Sequence, residues 1–136
     1  MNAELEEIEI SLSSNKGEVF AVRVYIAAKT SDVLYFESEK LNSKEFRADD
    51  LFSCMAKLRD WLDDYSLKPL CNVARLDVFP SAMSRQMSGG RLAYKHKLNH
   101  QCSRTDLVDI FQPAPLEMLA TTTKQKEFHE KWMKSL

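Results

Sequence analysis

Glycine is scarce in this sequence: there are three glycines among 136 residues, and two of them stand side by side at Gly89 and Gly90. Proline is also scarce, with four residues, and no low-complexity tract or internal repeat occurs, which excludes collagen-like, repeat and disordered proteins. Long apolar runs are missing as well, so no segment is predicted to cross a bilayer. The N-terminal stretch MNAELEEIEI carries four glutamates and no basic residue, unlike a secretory signal peptide. We therefore expect a cytoplasmic protein that does not bind membranes.

The cysteines follow no metal or redox pattern, and the common catalytic motifs are missing. Cys54, Cys71 and Cys102 are an odd number at spacings that match no zinc or redox pair, so we predict free thiols in a reducing compartment. No GxSxG, HExxH, P-loop or dinucleotide-binding glycine motif occurs. Asp106 and Asp109 are close in sequence, but capping or solvated roles explain them better than acid–base catalysis. We expect a protein that is not an enzyme and that needs no cofactor.

The spacing His96-x-x-x-His100-x-Cys102 is the one pattern that suggests a metal. On a helix, two histidines four residues apart share a face and can share a zinc ion. The stretch RLAYKHKL alternates as a strand does, however, and four residues of a strand span about 13 Å. We therefore predict that His96 packs against its neighbours and that no metal binds here.

What is present supports one compact domain over residues 1–136. The chain is 44% hydrophobic and includes seven Phe, four Tyr and two Trp, enough to build a core without disulfides. The net charge is −1, yet residues 1–67 carry 14 acidic and 8 basic side chains, whereas residues 68–136 carry 6 and 11. Such asymmetry predicts a polarised surface, unless folding interleaves the two halves and cancels the field.

The periodicity predicts an α+β fold, with an antiparallel sheet of about five strands packed on one face by a long central helix and a C-terminal helix. Residues 4–39 contain three alternating segments that predict an antiparallel meander. LCNVARLDVF (70–79) and RLAYKHKL (91–98) predict two more strands, joined by a short helix that Ser81 caps and that Gly89-Gly90 ends. DLVDIF predicts a short helix or strand, and Thr122-x-x-Gln125 predicts a capping box for the last helix.

The central helix is predicted to begin after Asp49-Asp50 and to end before Lys68-Pro69. Its apolar side chains fall within an arc of about 120° and should face the sheet. They are Leu51, Cys54, Met55, Leu58, Trp61, Leu62 and Tyr65. Cys54 belongs to this arc, which predicts a buried, unreactive thiol.

The opposite face of this helix is acidic and is the first candidate binding surface. Asp60, Asp63 and Asp64 lie there, and together with the acidic N-terminal strand they would complement a basic protein partner such as a nuclease. Electrostatic steering would then give fast association. The alternative is a solvated face without a partner.

The basic segment 85–104 is the second candidate. Arg85, Arg91, Lys95 and Lys97 could bind phosphate groups or a nucleic acid, with the amides of the glycine pair as a small anion-binding nest and Tyr94 as a stacking platform. Against this, glycines that follow a helix are more often its C-cap, and cations on a strand are often only solvated.

The second half of the chain resembles a family of small bacterial proteins associated with toxin-immunity loci. The residues that carry the resemblance are LCNVARLDVFPSAMSRQMSGGRLAY (70–94), DLVDIF (106–111) and the closing helix from Gln125 to Trp132. The resemblance implies an immunity protein that blocks a cognate toxin by binding it directly, and it carries over no functional residue. On this view the absence of a catalytic motif is expected.

Overall fold

The computed structural model describes residues 4–27 and 29–136. Met1–Ala3, at the start of the acidic N-terminus, and Ala28, in the second predicted strand, lie outside the described residues. The five strands of the larger sheet are β1 (Leu5–Ser14), β2 (Val19–Ala27), β3 (Val33–Glu37), β4 (Lys44–Arg47) and β5 (Leu67–Pro69). The smaller sheet contains β6 (Val78–Phe79), β7 (Leu92–Lys95) and β8 (Leu107–Asp109), and the helices are α1 (Leu51–Asp63), α2 (Ala82–Ser88) and α3 (Thr122–Ser135).

The larger sheet is antiparallel throughout, in the order β4-β3-β2-β1-β5. Its register places one set of alternating side chains on a shared face, because paired residues of antiparallel strands project to the same side. Ile10 lies opposite Val22, and Leu34 lies between Ile26 and Phe46. This face packs against the apolar side of α1 and forms the core, which confirms the predicted α+β class and the predicted meander.

The second half of the chain does not extend this sheet as predicted. β6, β7 and β8 form a separate three-stranded antiparallel sheet, and the helix α3 packs mainly against β6 and α1. The prediction of one continuous strand over residues 70–79 is wrong: within that segment only Val78–Phe79 is a regular strand. The side chains from Cys71 to Ala74 are all buried, whereas the predicted half-buried strand would bury alternate ones. A single turn of 3-10 helix, Asn72–Ala74, replaces the middle of that strand.

The corner between β6 and β7 follows the sequence prediction closely. Ser81 caps α2 by accepting from the amide of Ser84, and Gly89 ends the helix with φ of +64°. The carbonyl of Gly89 accepts from the amide of Leu51 at 2.7 Å, so this corner satisfies a first-turn N–H of α1. Asp50 caps the same helix by accepting from the amide of Ser53. The glycine pair therefore ends α2 and docks it onto the start of α1.

The start of α3 differs from the prediction by one residue. Thr121, not Thr122, is the N-cap, and its hydroxyl accepts from the amide of Lys124. Gln125 cannot complete a capping box, because its side chain is only 2% exposed and points into the core. Its amide nitrogen donates to the carbonyls of Val73 and Arg75.

Among the described residues, the helices are too short or too polar to cross a bilayer.

Candidate functional site

One of the three aspartates on the acidic face of α1 is hydrogen-bonded to another part of the chain. Asp60 accepts a hydrogen bond from the hydroxyl of Thr122 at 2.7 Å, which ties the end of α1 to the start of α3. Asp63 and Asp64 are exposed, and Asp64 is the C-cap residue of α1. Within the described residues, none of these three carboxylates has a cationic group within 4.0 Å. No direct ion pair among the described residues therefore involves these three carboxylates.

Beneath this face lies a buried arginine that the sequence analysis did not identify. Arg59 is 5% exposed, and its guanidinium donates to the carbonyls of Val73 and Ala120 and to the side-chain oxygen of Gln125. Burial lowers its pKa to about 10, whereas nearby Asp60 and Asp63 act to raise it. Arg59 follows Met55 by four residues on the apolar side of the helix, and this spacing could have revealed its burial.

Two of the three arginines in the basic segment, Arg85 and Arg91, are paired with carboxylates of this chain. Arg85 donates to Asp50 at 2.7 Å and to the hydroxyl of Ser53 at 3.2 Å. Arg91 forms a two-pronged pair with Glu6 at 2.7 and 2.9 Å and also donates to Asp109. The pairs with Asp50 and Glu6 join the basic half of the chain to the acidic half, so folding cancels part of the charge asymmetry. The arginines of the predicted anion site thus have structural partners.

The two lysines of that segment have a different environment. Lys95 and Lys97 are exposed, and within the described part of the chain neither lies within 4.0 Å of a carboxylate. Lys95 is the last residue of β7, and Lys97 pairs across a tight turn with His100. The structure therefore separates the four predicted anion-binding residues into two engaged arginines and two solvated lysines.

A stack of aromatic and imidazole rings joins α3 to the smaller sheet. The ring of His96 lies parallel to that of Trp132 with centroids 3.9 Å apart, and His129 stacks on Phe79 at 4.1 Å. The two imidazoles are linked by a contact of 3.0 Å between His96 Nε2 and His129 Nδ1. This packing agrees with the predicted role of His96. The partner His129 was missed, although it lies three residues before Trp132 on the same helical stripe.

Cys102 contacts the other nitrogen of His96, at 3.1 Å from Nδ1. His96 thus directs opposite ring nitrogens to Cys102 and to His129, so the three side chains do not converge on one point where an ion could sit. Among the described residues, no group of three His, Cys, Asp or Glu side chains has metal-binding geometry. The sequence pattern included His100, but the backbone carbonyl of that residue accepts instead from the indole N–H of Trp132.

The pKa values of His96 and Cys102 favour a neutral imidazole and a neutral thiol. Burial, together with the neighbouring His129, lowers the pKa of His96 to about 4, and burial raises the pKa of the Cys102 thiol. A thiolate–imidazolium pair, which a cysteine nucleophile uses, needs shifts in the opposite directions. Burial also raises the pKa of Cys54 to about 11 and that of Cys71 to about 12. All three cysteines are free thiols, as predicted, and Cys54 is fully buried.

The buried imidazole predicts a specific loss of stability in mild acid. Because the pKa of His96 is about 4 when folded and 6.5 when exposed, the unfolded chain takes up a proton first as the pH falls. We expect the free energy of unfolding to fall by roughly 2 to 3 kcal/mol more between pH 6.5 and 4 in the wild type than in His96→Gln. Urea unfolding at half-unit pH intervals measures both slopes. Equal slopes would contradict the assignment.

No protein-family model matches the sequence, and no curated protein matches it. The choice between the acidic and the basic surface therefore depends on their ion pairs, exposure and geometry.

Proposed function

We propose that this chain is a non-enzymatic, cytoplasmic protein-binding domain, an immunity protein that neutralises a cognate basic toxin domain by direct binding. The observation that carries the proposal is the arrangement of ion pairs. Asp63 and Asp64 present exposed carboxylates without a cationic partner among the described residues, and Asp60 lies beside them on the same helix. An acidic surface without direct ion pairs complements a basic partner and speeds its association.

The anion-binding alternative is weaker for the same reason. A phosphate group would compete with Asp50 for Arg85, and with Glu6 and Asp109 for Arg91. Removing a partner from a partly buried ion pair leaves an unpaired charge behind, which costs stability. Of the four predicted anion-binding residues, Lys95 and Lys97 have no ion pair among the described residues, and two solvated lysines make a weak phosphate site.

The proposal predicts that a neighbouring gene encodes the toxin domain, and the test measures the association rate of that domain with this chain at low and high salt. We expect Asp63→Lys/Asp64→Lys to slow association by about tenfold and to flatten the salt dependence, because steering depends on local charge. Asp60 is left unchanged because its bond to Thr122 is structural. Growth of cells that express the toxin reports neutralisation.

The matched control is Lys95→Glu/Lys97→Glu, which changes the charge equally in the opposite direction on the basic segment. We expect it to leave association within about twofold of the wild type. A larger effect from the lysine variant than from the aspartate variant, or tight salt-sensitive binding of single-stranded RNA that the lysine variant abolishes, would replace the proposal with nucleic-acid binding.

A further inference from the structure

The first half of β1 has a free edge. β5 pairs only with residues Leu12–Ser14 of β1, so the segment from Leu5 to Ile10 is paired with β2 alone in the part of the chain that the structure describes. On the side of β1 that faces β5, the hydrogen bond nearest to this open segment joins the amide of Leu70 to the carbonyl of Ser11. A long stretch of an otherwise paired strand is therefore open on one side.

The direction of the open backbone groups follows from the pairing. In an antiparallel sheet, the N–H and C=O of alternate residues point to the same neighbour. Since the carbonyl of Ser11 points toward Leu70, the backbone groups of Glu9 and Glu7 point the same way, whereas those of Ile8 and Ile10 point to β2. Glu7 and Glu9 thus present donors and acceptors that a further strand could use.

A groove of about 700 Å³ runs along this edge. Its apolar lining includes Ile8, Ile10 and Phe111, and its far wall is the segment Gln112–Ala114. Arg91 reaches across one end, where it pairs with Glu6 of β1 and Asp109 of β8. The volume lies within the range of ordinary binding clefts, and the lining mixes apolar side chains with exposed backbone.

The charge along the edge restricts what can occupy it. The open part of β1 carries three glutamates that line the groove, Glu6, Glu7 and Glu9. Among the described residues, Arg91 is the only cationic residue in the lining. Glu7 lies 3.5 Å from the exposed Arg23, and Glu9 has no cation within 4.0 Å in that part of the chain. A second copy of this chain would set glutamates opposite glutamates, and like charges directly opposite each other destabilise a strand pair. A basic strand would gain attraction at the same positions.

We propose that the open edge of β1 binds an extended basic segment of a protein partner, which adds to the sheet as an antiparallel strand. The occupant alternates lysine or arginine, beside Glu7 and Glu9 on the outer face, with small β-branched residues that enter the apolar groove. This inference rests on the proposed function, because it assumes that the chain binds a protein. Its test needs no toxin.

The probe is the peptide acetyl-Lys-Val-Lys-Val-Lys-Val-Lys-amide, titrated by NMR at low salt. In antiparallel pairing the residues opposite Glu7 and Glu9 are the lysines, so their N–H groups make the new hydrogen bonds. We expect N-methylation of the lysine amides to weaken binding at least tenfold, and N-methylation of the valine amides to change it less than threefold. Amide exchange at Glu7 and Glu9 should slow at least tenfold on saturation, because their free N–H groups become paired.

Variants of the protein separate this edge from general electrostatic attraction. Glu7→Lys/Glu9→Lys should weaken the peptide at least tenfold, whereas Asp63→Lys/Asp64→Lys, with the same change in net charge, should stay within twofold. Equal effects of the two variants, saturable binding without protection of Glu7 and Glu9, or no binding at millimolar peptide would each overturn the proposal. So would dimerisation of the protein alone with protection of those amides, which would assign the edge to a second copy. If the peptide binds as expected while the toxin domain does not bind, only the proposed function fails.

Discussion

Replacement of Arg59 by alanine is expected to lower the free energy of unfolding by about 3 to 5 kcal/mol. The guanidinium is buried and donates to three acceptors, the carbonyls of Val73 and Ala120 and the side chain of Gln125. Truncation leaves the oxygens of Gln125 and Ala120 without this donor and opens a cavity between α1 and α3. Urea denaturation followed by circular dichroism measures the loss.

This arginine is expected to remain charged when the protein is folded. Burial lowers its pKa to about 10, which is still well above neutral pH, and Asp60 and Asp63 act to raise it. Arg59→Lys should therefore also destabilise the protein, because an ammonium cannot reproduce the planar fork that reaches Val73, Gln125 and Ala120 together.

Two comparisons show whether the loss of stability in Arg59→Ala comes from its lost hydrogen bonds or only from its lost charge. Arg23→Ala removes an exposed arginine whose side chain is 53% accessible, and it should change stability by less than about 1 kcal/mol. In a double-mutant cycle, Gln125→Ala should cost at least about 1 kcal/mol less when Arg59 is already alanine. Additive losses at the two positions would show that Arg59 and Gln125 act independently.

The elements that could be predicted from the sequence are those that local pattern specifies. The alternation in β1 and β2, the apolar stripe of α1 from Leu51 to Leu62 and the Ser81-to-Gly89 corner are each visible within about a dozen residues, and the structure contains them. Tyr65 was wrongly predicted on that stripe, because α1 ends at Asp63 and the Tyr65 side chain is exposed. β4 was missed because KEFR offers a single apolar side chain, Phe46, and its pairing is set by β3. Strand pairing of so short a segment depends on its neighbour more than on its own composition.

The features that could not be predicted join distant parts of the chain. Gln125 looked like a capping residue because the motif fits, but it meets Arg59 across 66 residues of sequence. The expected strand over residues 70–79 breaks at Cys71–Ala74, which are buried together between α1 and the segment that contains Pro113. Local propensity is a weak guide when tertiary contacts decide the conformation.

The same distinction applies to the candidate sites. Counting charges by segment identified the acidic and basic halves correctly, but it could not show that Arg85 pairs with Asp50 or that Arg91 pairs with Glu6, 85 residues away. Which charges remain free is a property of the fold, and it determines which surface is left for a partner. The open edge of β1 is likewise a result of strand lengths, since β5 is shorter than the strand it joins.

The glycine pair leads to the second large expected effect: Gly89→Ala should lower the free energy of unfolding by about 3 kcal/mol, or the melting temperature by roughly 10 °C. Gly89 has φ of +64°, a conformation that costs a side-chain-bearing residue about 1 to 2 kcal/mol. In addition, a Cβ atom at this position would lie 1.9 Å from the Oγ of Ser31 and 2.4 Å from its Cβ. The backbone must move to relieve that clash, and Gly89 is bonded to the first turn of α1.

Gly17 supplies the matched control, because it has φ of +83° and no atom within 4 Å of an added Cβ. Gly17→Ala should therefore show the conformational cost alone, about 1 kcal/mol. In a Ser31→Gly background the clash disappears, since the nearest remaining atom of that residue, its Cα, lies 3.8 Å away. Gly89→Ala should then cost little more than Gly17→Ala, as measured by thermal unfolding. An equal cost of Gly89→Ala and Gly17→Ala in the wild-type background would contradict this prediction. The clash with Ser31 would then add nothing to the cost of the substitution, and the positive φ alone would explain why residue 89 is a glycine.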